Sequence, residues 1–142
     1  MKRLLLTIIL SVLCSIGFSQ DIIDPMLHNV LNESDNEMIR VNIIFKSQID
    51  IDKLNERGKN ITDKQMRRSV LVDELKLFSE EKQSDVMSIL LAEERNNRVI
   101  DIKSHWLSNA ITCTTNRDVI FLLSEHPDIE TIGIDGVTQC TV

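Results

Sequence analysis

Apolar and polar positions follow two different periods along this chain. Val41, Ile43 and Phe45 alternate with Asn42, Ile44 and Lys46, the period of a β-strand. Ile44 makes the second face apolar as well, so this strand is expected at the centre of a sheet. From Thr62 to about Asn97 the period lengthens to three and four: Met66, Val70, Leu71, Leu75, Phe78, Val86, Ile89 and Leu90 recur at helical spacing, with Glu, Lys, Arg and Gln between them. No Gly or Pro interrupts the run, so the spacing predicts one helix, long for a small domain. The pattern is weakest over 79–85, which leaves room for a bend or break there. Thr62-Asp-Lys-Gln65 reads as a capping box with Thr62 as the cap, and Asn96-Asn97 as the end.

Shorter elements flank these two. Asp24-Pro25 opens a short helix with Met26, Leu27, Val30 and Leu31 on one face, and Asn32 to Asn36 is a polar break. Ser47 to Asn60 reads as a connection with one glycine, Gly58, anchored to the core by Leu54. Residues 98–104 and 108–114 are two strands joined around Trp106. Thr115-Asn-Arg-Asp118 starts a short helix, His126-Pro-Asp128 stops it, and Ile129 to Ile134 is the last strand. The order strand, helix, strand, strand, helix, strand predicts an α+β, ferredoxin-like βαββαβ fold: a four-stranded antiparallel sheet with a long and a short helix on one face. Trp106 is expected to seal an edge of the core or the open face. Asn109 suits a turn or bulge at positive φ.

The N-terminus changes the compartment. Lys2 and Arg3 precede the apolar run Leu4 to Leu13, which is too short for a bilayer, and Gly17 and Ser19 are small enough for a signal peptidase. Residues 1–19 are therefore expected to be a signal peptide, the alternative being an uncleaved anchor. They are followed by a helical lead-in over 20–36, a domain over 37–135 and an extended tail over 136–142. Their removal takes the net charge from −6 to −8 and leaves a secreted or periplasmic chain that does not favour nucleic acid. It also leaves Cys113 and Cys140, which read either as one disulfide or as a buried and an exposed thiol.

Catalytic patterns are missing. His28, His105 and His126 fall on different elements, and there is no nucleophile elbow, phosphate loop, HExxH or CxxC. The glutamates at 80–81 and 93–94 read as solvated helix surface. Phe45 to Ile49 lacks the glycine-rich anion loop of an acylphosphatase, so that hydrolase reading is weak. Asn32-Glu-Ser34 and Asn60-Ile-Thr62 fit glycosylation sequons, a pattern common by chance. No enzyme activity, metal or cofactor is expected.

The lead-in Asp24 to Leu31, the strand Ile39 to Phe45, the helix through Glu81-Lys-Gln83, the segment Ser104-His-Trp-Leu-Ser-Asn-Ala-Ile111 and the stretch Val119 to Asp135 resemble the N-terminal propeptide of secreted subtilisin-like serine proteases. The resemblance implies this same fold. It further implies an inhibitor and folding assistant whose open sheet face rests on the protease while the segment after the last strand lies in the substrate cleft. By position that segment is Gly136, Val137, Thr138, Gln139, Cys140, Thr141 and Val142. Val142 would approach the pocket before the scissile bond, with Cys140 and Thr138 alternating with it. The expected partner is such a protease, in cis or in trans, with no membrane role once the signal is cleaved. Since no catalytic domain follows Val142, the expectation is a stand-alone inhibitor or a fragment of a precursor. A secreted interaction module of the same fold is the alternative.

Overall fold

The computed structural model describes residues 22–33 and 38–136. The signal peptide expected over 1–19 and the tail residues Val137 to Val142, Cys140 among them, lie outside the described residues, as do residues 20–21 and 34–36 of the lead-in.

The elements run α1 (Pro25–Glu33), β1 (Ile39–Phe45), α2 (Ile51–Gly58), α3 (Lys64–Arg95), β2 (Val99–His105), β3 (Ala110–Thr115), α4 (Arg117–Ser124) and β4 (Ile129–Ile134). The strands form one sheet in the order β2-β3-β1-β4, with every neighbouring pair antiparallel. The fold is thus α+β with the expected split βαβ order, to which α1 and α2 are added. β1 lies inside the sheet, paired on one edge with β3 and on the other with β4. Its odd residues Ile39, Val41, Ile43 and Phe45 join Val86 and Leu90 of α3, Leu27 and Leu31 of α1, and Val119, Ile120 and Leu123 of α4 in a single buried cluster. The even residues Arg40, Asn42 and Ile44 stand on the opposite face, across from Thr114, Thr112 and Ala110.

Both sheet edges are managed. Ile23 pairs with Ile132 in a parallel bridge, Asp24 N–H donates to the Ile132 carbonyl and Ile132 N–H to that of Ile22, so the lead-in covers β4. β2, the other edge, shifts register between Ile100 and Lys103, and Asp101 in that bulge has a φ of 55°. A kinked edge bearing Asp101 and Lys103 is a poor template for strand addition by a stray chain.

Three local expectations are corrected. Asp63, not Thr62, caps α3: its carboxylate accepts from Met66 N–H at 2.7 Å, because an Asp one residue later presents its oxygen to the first free amides equally well. The connection over 47–60 contains a helix, and its Leu54 does not join the main core. Asp50 caps α2 by accepting from the Asp52 and Lys53 amides, and Leu54 is buried outside the main cluster. A Cβ at Gly58 would lie 3.1 Å from Arg67 Cγ and 3.3 Å from a Leu71 methyl, so glycine permits the close seating of α2 on α3. Finally, α3 has no break over 79–85. It runs unbroken to Arg95 and ends in a Schellman motif: Asn97 has a φ of 57°, Arg98 N–H reaches the Glu93 carbonyl and Asn97 N–H that of Glu94.

Candidate docking face and tail exit

The weak stretch of the α3 pattern is a buried polar network. Ser79 and Gln83 are buried against the sheet. The two N–H groups of the Gln83 amide are shared among Ser79 Oγ (2.7 Å), Asn109 Oδ1 (3.0 Å) and the Ala110 carbonyl (3.3 Å), while its oxygen accepts from Ser104 Oγ at 2.6 Å. Asn109 Nδ2 then donates to the Ser47 carbonyl at 2.7 Å. One helix, the β2–β3 hairpin and the exit from β1 are thereby held in register by satisfied polar groups. Asn109 is buried at a φ of 42° and belongs to this network. The sequence held a signal for it: two polar residues, Ser79 and Gln83, four apart on the core-facing side of a helix.

Trp106 does not seal the core. Its ring is only half-buried at the hairpin, with Lys76 Nζ 5.9 Å from the ring centroid, and the neighbouring Leu107 is exposed. The ring stays out of the main buried cluster and meets the flank of α3 at Lys76.

The face away from the main core carries Arg40, Asn42, Ile44, Ala110, Thr112 and Thr114 on the two central strands. His105 lies within hydrogen-bond reach of Thr112 Oγ1, 3.0 Å away. Ala110 and Thr112 are buried on this face and the other four residues half-buried, so it presents a low, β-branched patch, nearly uncharged at its centre, which suits a flat contact more than capture of a small ligand. At one end of it the chain leaves the sheet. Asp135 N–H donates to the Arg40 carbonyl, Arg40 Nε donates to Asp135 Oδ2 at 2.5 Å, and Gly136 N–H returns to the Ile134 carbonyl. The carboxylate of Asp135 holds the Arg40 guanidinium pKa above its ordinary value. Gly136 is exposed at this exit, and Trp106 and Asn109 lie at the opposite end, beside Ala110. The structure therefore separates the tail exit from the two residues expected to be structural.

Three other features complete the chemistry among the described residues. Cys113 is a free thiol, wholly buried in the main cluster, where burial pushes its pKa up to about 12. Asp85, His126 and Asp128 place ligand atoms within 4.8 Å of one another on exposed or half-buried side chains, an arrangement common on acidic surfaces without a metal ion. Lys46 Nζ donates to the adjoining Pro127 carbonyl at 2.6 Å. A groove of about 350 Å³ between α2 and α3 has an apolar floor of Ile49, Leu54, Leu77 and Phe78, with Arg57 paired to Glu74 at its rim. No helix among the described residues is long and apolar enough to cross a membrane.

Comparison with known proteins identifies no relative: no family model, no curated protein and no solved structure matches this chain.

Proposed function

We propose that this protein is an exported, propeptide-type inhibitor and folding assistant of a subtilisin-like serine protease, with the segment Gly136 to Val142 entering the substrate cleft. The observation that carries the reading is the tail exit. The last strand ends at Ile134, and the chain leaves at Asp135 beside a sheet face to which α1, α3 and α4 do not contribute their core residues. A peptide rooted there can lie extended in a cleft while the sheet face rests on the surrounding protease surface. Main-chain hydrogen bonds would supply most of the hold, and alternate side chains, Val142, Cys140 and Thr138, the selectivity. The six residues after Gly136 reach at most about 20 Å when extended, which suffices for a substrate cleft.

The competing reading is a secreted interaction module with no protease partner. The groove between α2 and α3 favours it, since the tail mechanism makes no use of that surface. Both readings need export and neither needs a cofactor.

The test is inhibition of subtilisin, followed with a chromogenic peptide substrate, by the purified protein and by a form lacking Gly136 to Val142. Inhibition that weakens strongly on truncation is expected. Equal potency of the two forms refutes the tail mechanism, and no inhibition by either favours the interaction module. A neighbouring reading frame encoding a Ser-His-Asp protease would add support from the genome.

A further inference from the structure

We propose that Arg40 and Asp135 are a positioning pair that aims the C-terminal segment at its partner, an inference that rests on the inhibitor reading above. The two residues are joined twice. Asp135 N–H donates to the Arg40 carbonyl at 3.0 Å, and Arg40 Nε donates to Asp135 Oδ2 at 2.5 Å. The β1–β4 ladder has its last register pair at Val41 and Ile134, so this double closure lies one residue past the end of the sheet. The next amide, that of Gly136, turns back to the Ile134 carbonyl at 2.9 Å. A Cβ at Gly136 would meet nothing within 4 Å, so this last described residue stands clear of the body of the fold.

The location separates orientation from stability. The side chains of the pair are 36% and 30% exposed, and an ion pair of that exposure adds little to folding. What it fixes is the direction in which the backbone departs. A segment rooted in one direction loses fewer conformations when it docks than one swinging freely from a strand end, and the saving appears as affinity. Arg40 also stands on the sheet face proposed to meet the protease, so the same residue that roots the segment sits at the border of the docking surface.

The experiment measures the inhibition constant on subtilisin for the unsubstituted protein, Arg40→Ala, Asp135→Asn and the exchanged pair Arg40→Asp/Asp135→Arg, each with and without Gly136 to Val142, alongside thermal midpoints. Each single variant is expected to weaken inhibition about three- to fivefold at an unchanged midpoint. The exchanged pair is expected to restore it, and Arg40→Ala is expected to have no effect in the truncated form. An unchanged constant in both single variants, with truncation still weakening inhibition, overturns the positioning role and leaves the inhibitor reading standing. Equal losses in Arg40→Ala with and without the tail also overturn it, since the pair then acts through the fold. If the unsubstituted protein does not inhibit, the inhibitor reading falls first and the positioning role with it.

Discussion

The two halves of α3 have nearly opposite relations between pattern and burial. The N-terminal half, 64–78, carries the clearer apolar periodicity, with Met66, Val70, Leu71, Leu75 and Phe78, yet none of its residues is buried. The C-terminal half carries the weaker pattern and holds every buried residue of the helix: Ser79, Gln83, Val86, Leu90 and Glu93. Geometry explains the inversion. A helix of 32 residues is about 48 Å long, whereas strands of six or seven residues span roughly 20–24 Å. Only one half can sit over the sheet; the other projects past it and is flanked by α2. Periodicity reports that a helix has an apolar side. It does not report whether anything is there to meet it.

The largest test of this contrast is a pair of truncations. Leu90→Ala removes a fully buried side chain from the main cluster and is expected to cost about 2–5 kcal/mol in chemical denaturation. Leu75→Ala, on the half-buried overhang, is expected to cost about 1 kcal/mol. Similar losses at both sites would mean that the overhang is packed as tightly as the seated half.

The polar seat comes next. Gln83→Leu leaves the buried Asn109 Oδ1 and Ala110 carbonyl without its amide, and removes the acceptor of the solvent-facing Ser104 Oγ. The expected loss is about 1–3 kcal/mol. Gln65→Leu, the same change at an exposed position of the other half, is expected to shift stability by less than about 0.5 kcal/mol. The residues of this network also mark the limit of what was legible beforehand. The strand and helix order could be read because β1 alternates cleanly and the turns carry Asn, Pro and Asp. Ser79 and Gln83 read as an interruption because a polar residue on a helix usually faces water. Their partners, Ser104 and Asn109, lie more than twenty residues away, which periodicity within one element does not register. The pairing of residues 22–24 with β4 leaves no mark in the sequence for a related reason: three residues are too few to show a period. Of the proposed site, the exit after β4 followed from strand order, whereas the Arg40–Asp135 closure depends on a register that only pairing reveals.

Cys113 probes the seated half by pH. The unfolded thiol titrates near 9 and the folded one near 12, so between these values the unfolded chain binds fewer protons and stability falls as pH rises. Below pH 9 both states are protonated and the thiol contributes no slope. The expected slope is about 1.4 kcal/mol per pH unit over that window, read as the difference between the protein and Cys113→Val, which cancels the lysines. A native thiol that reacts with a disulfide reagent as fast as an unfolded one would show that this core opens readily.

Trp106 stands between the two regimes. A ring sealed in the core would lose about 3–5 kcal/mol on Trp106→Ala. A half-buried ring beside Lys76 is expected to lose about 1–2 kcal/mol, part of it cation–π attraction, and Lys76→Met should remove the electrostatic part while keeping the packing.

The smallest effect sets the sharpest limit on the overhang. Leu77 is 65% exposed and lines the groove beside α2 with Phe78 and Leu54. A leucine already in water has little transfer free energy to lose, so Leu77→Gln is expected to change stability by no more than about 0.5 kcal/mol. The substitution is informative because the same leucine would behave differently under any cover. If α2 closed over the groove in solution, or a second copy packed there, polar replacement would cost well over 1 kcal/mol or make the thermal midpoint depend on protein concentration. A neutral result at every concentration keeps the overhang as bare surface, and places the difference between the halves of α3 in the length of the sheet rather than in the residues of the helix.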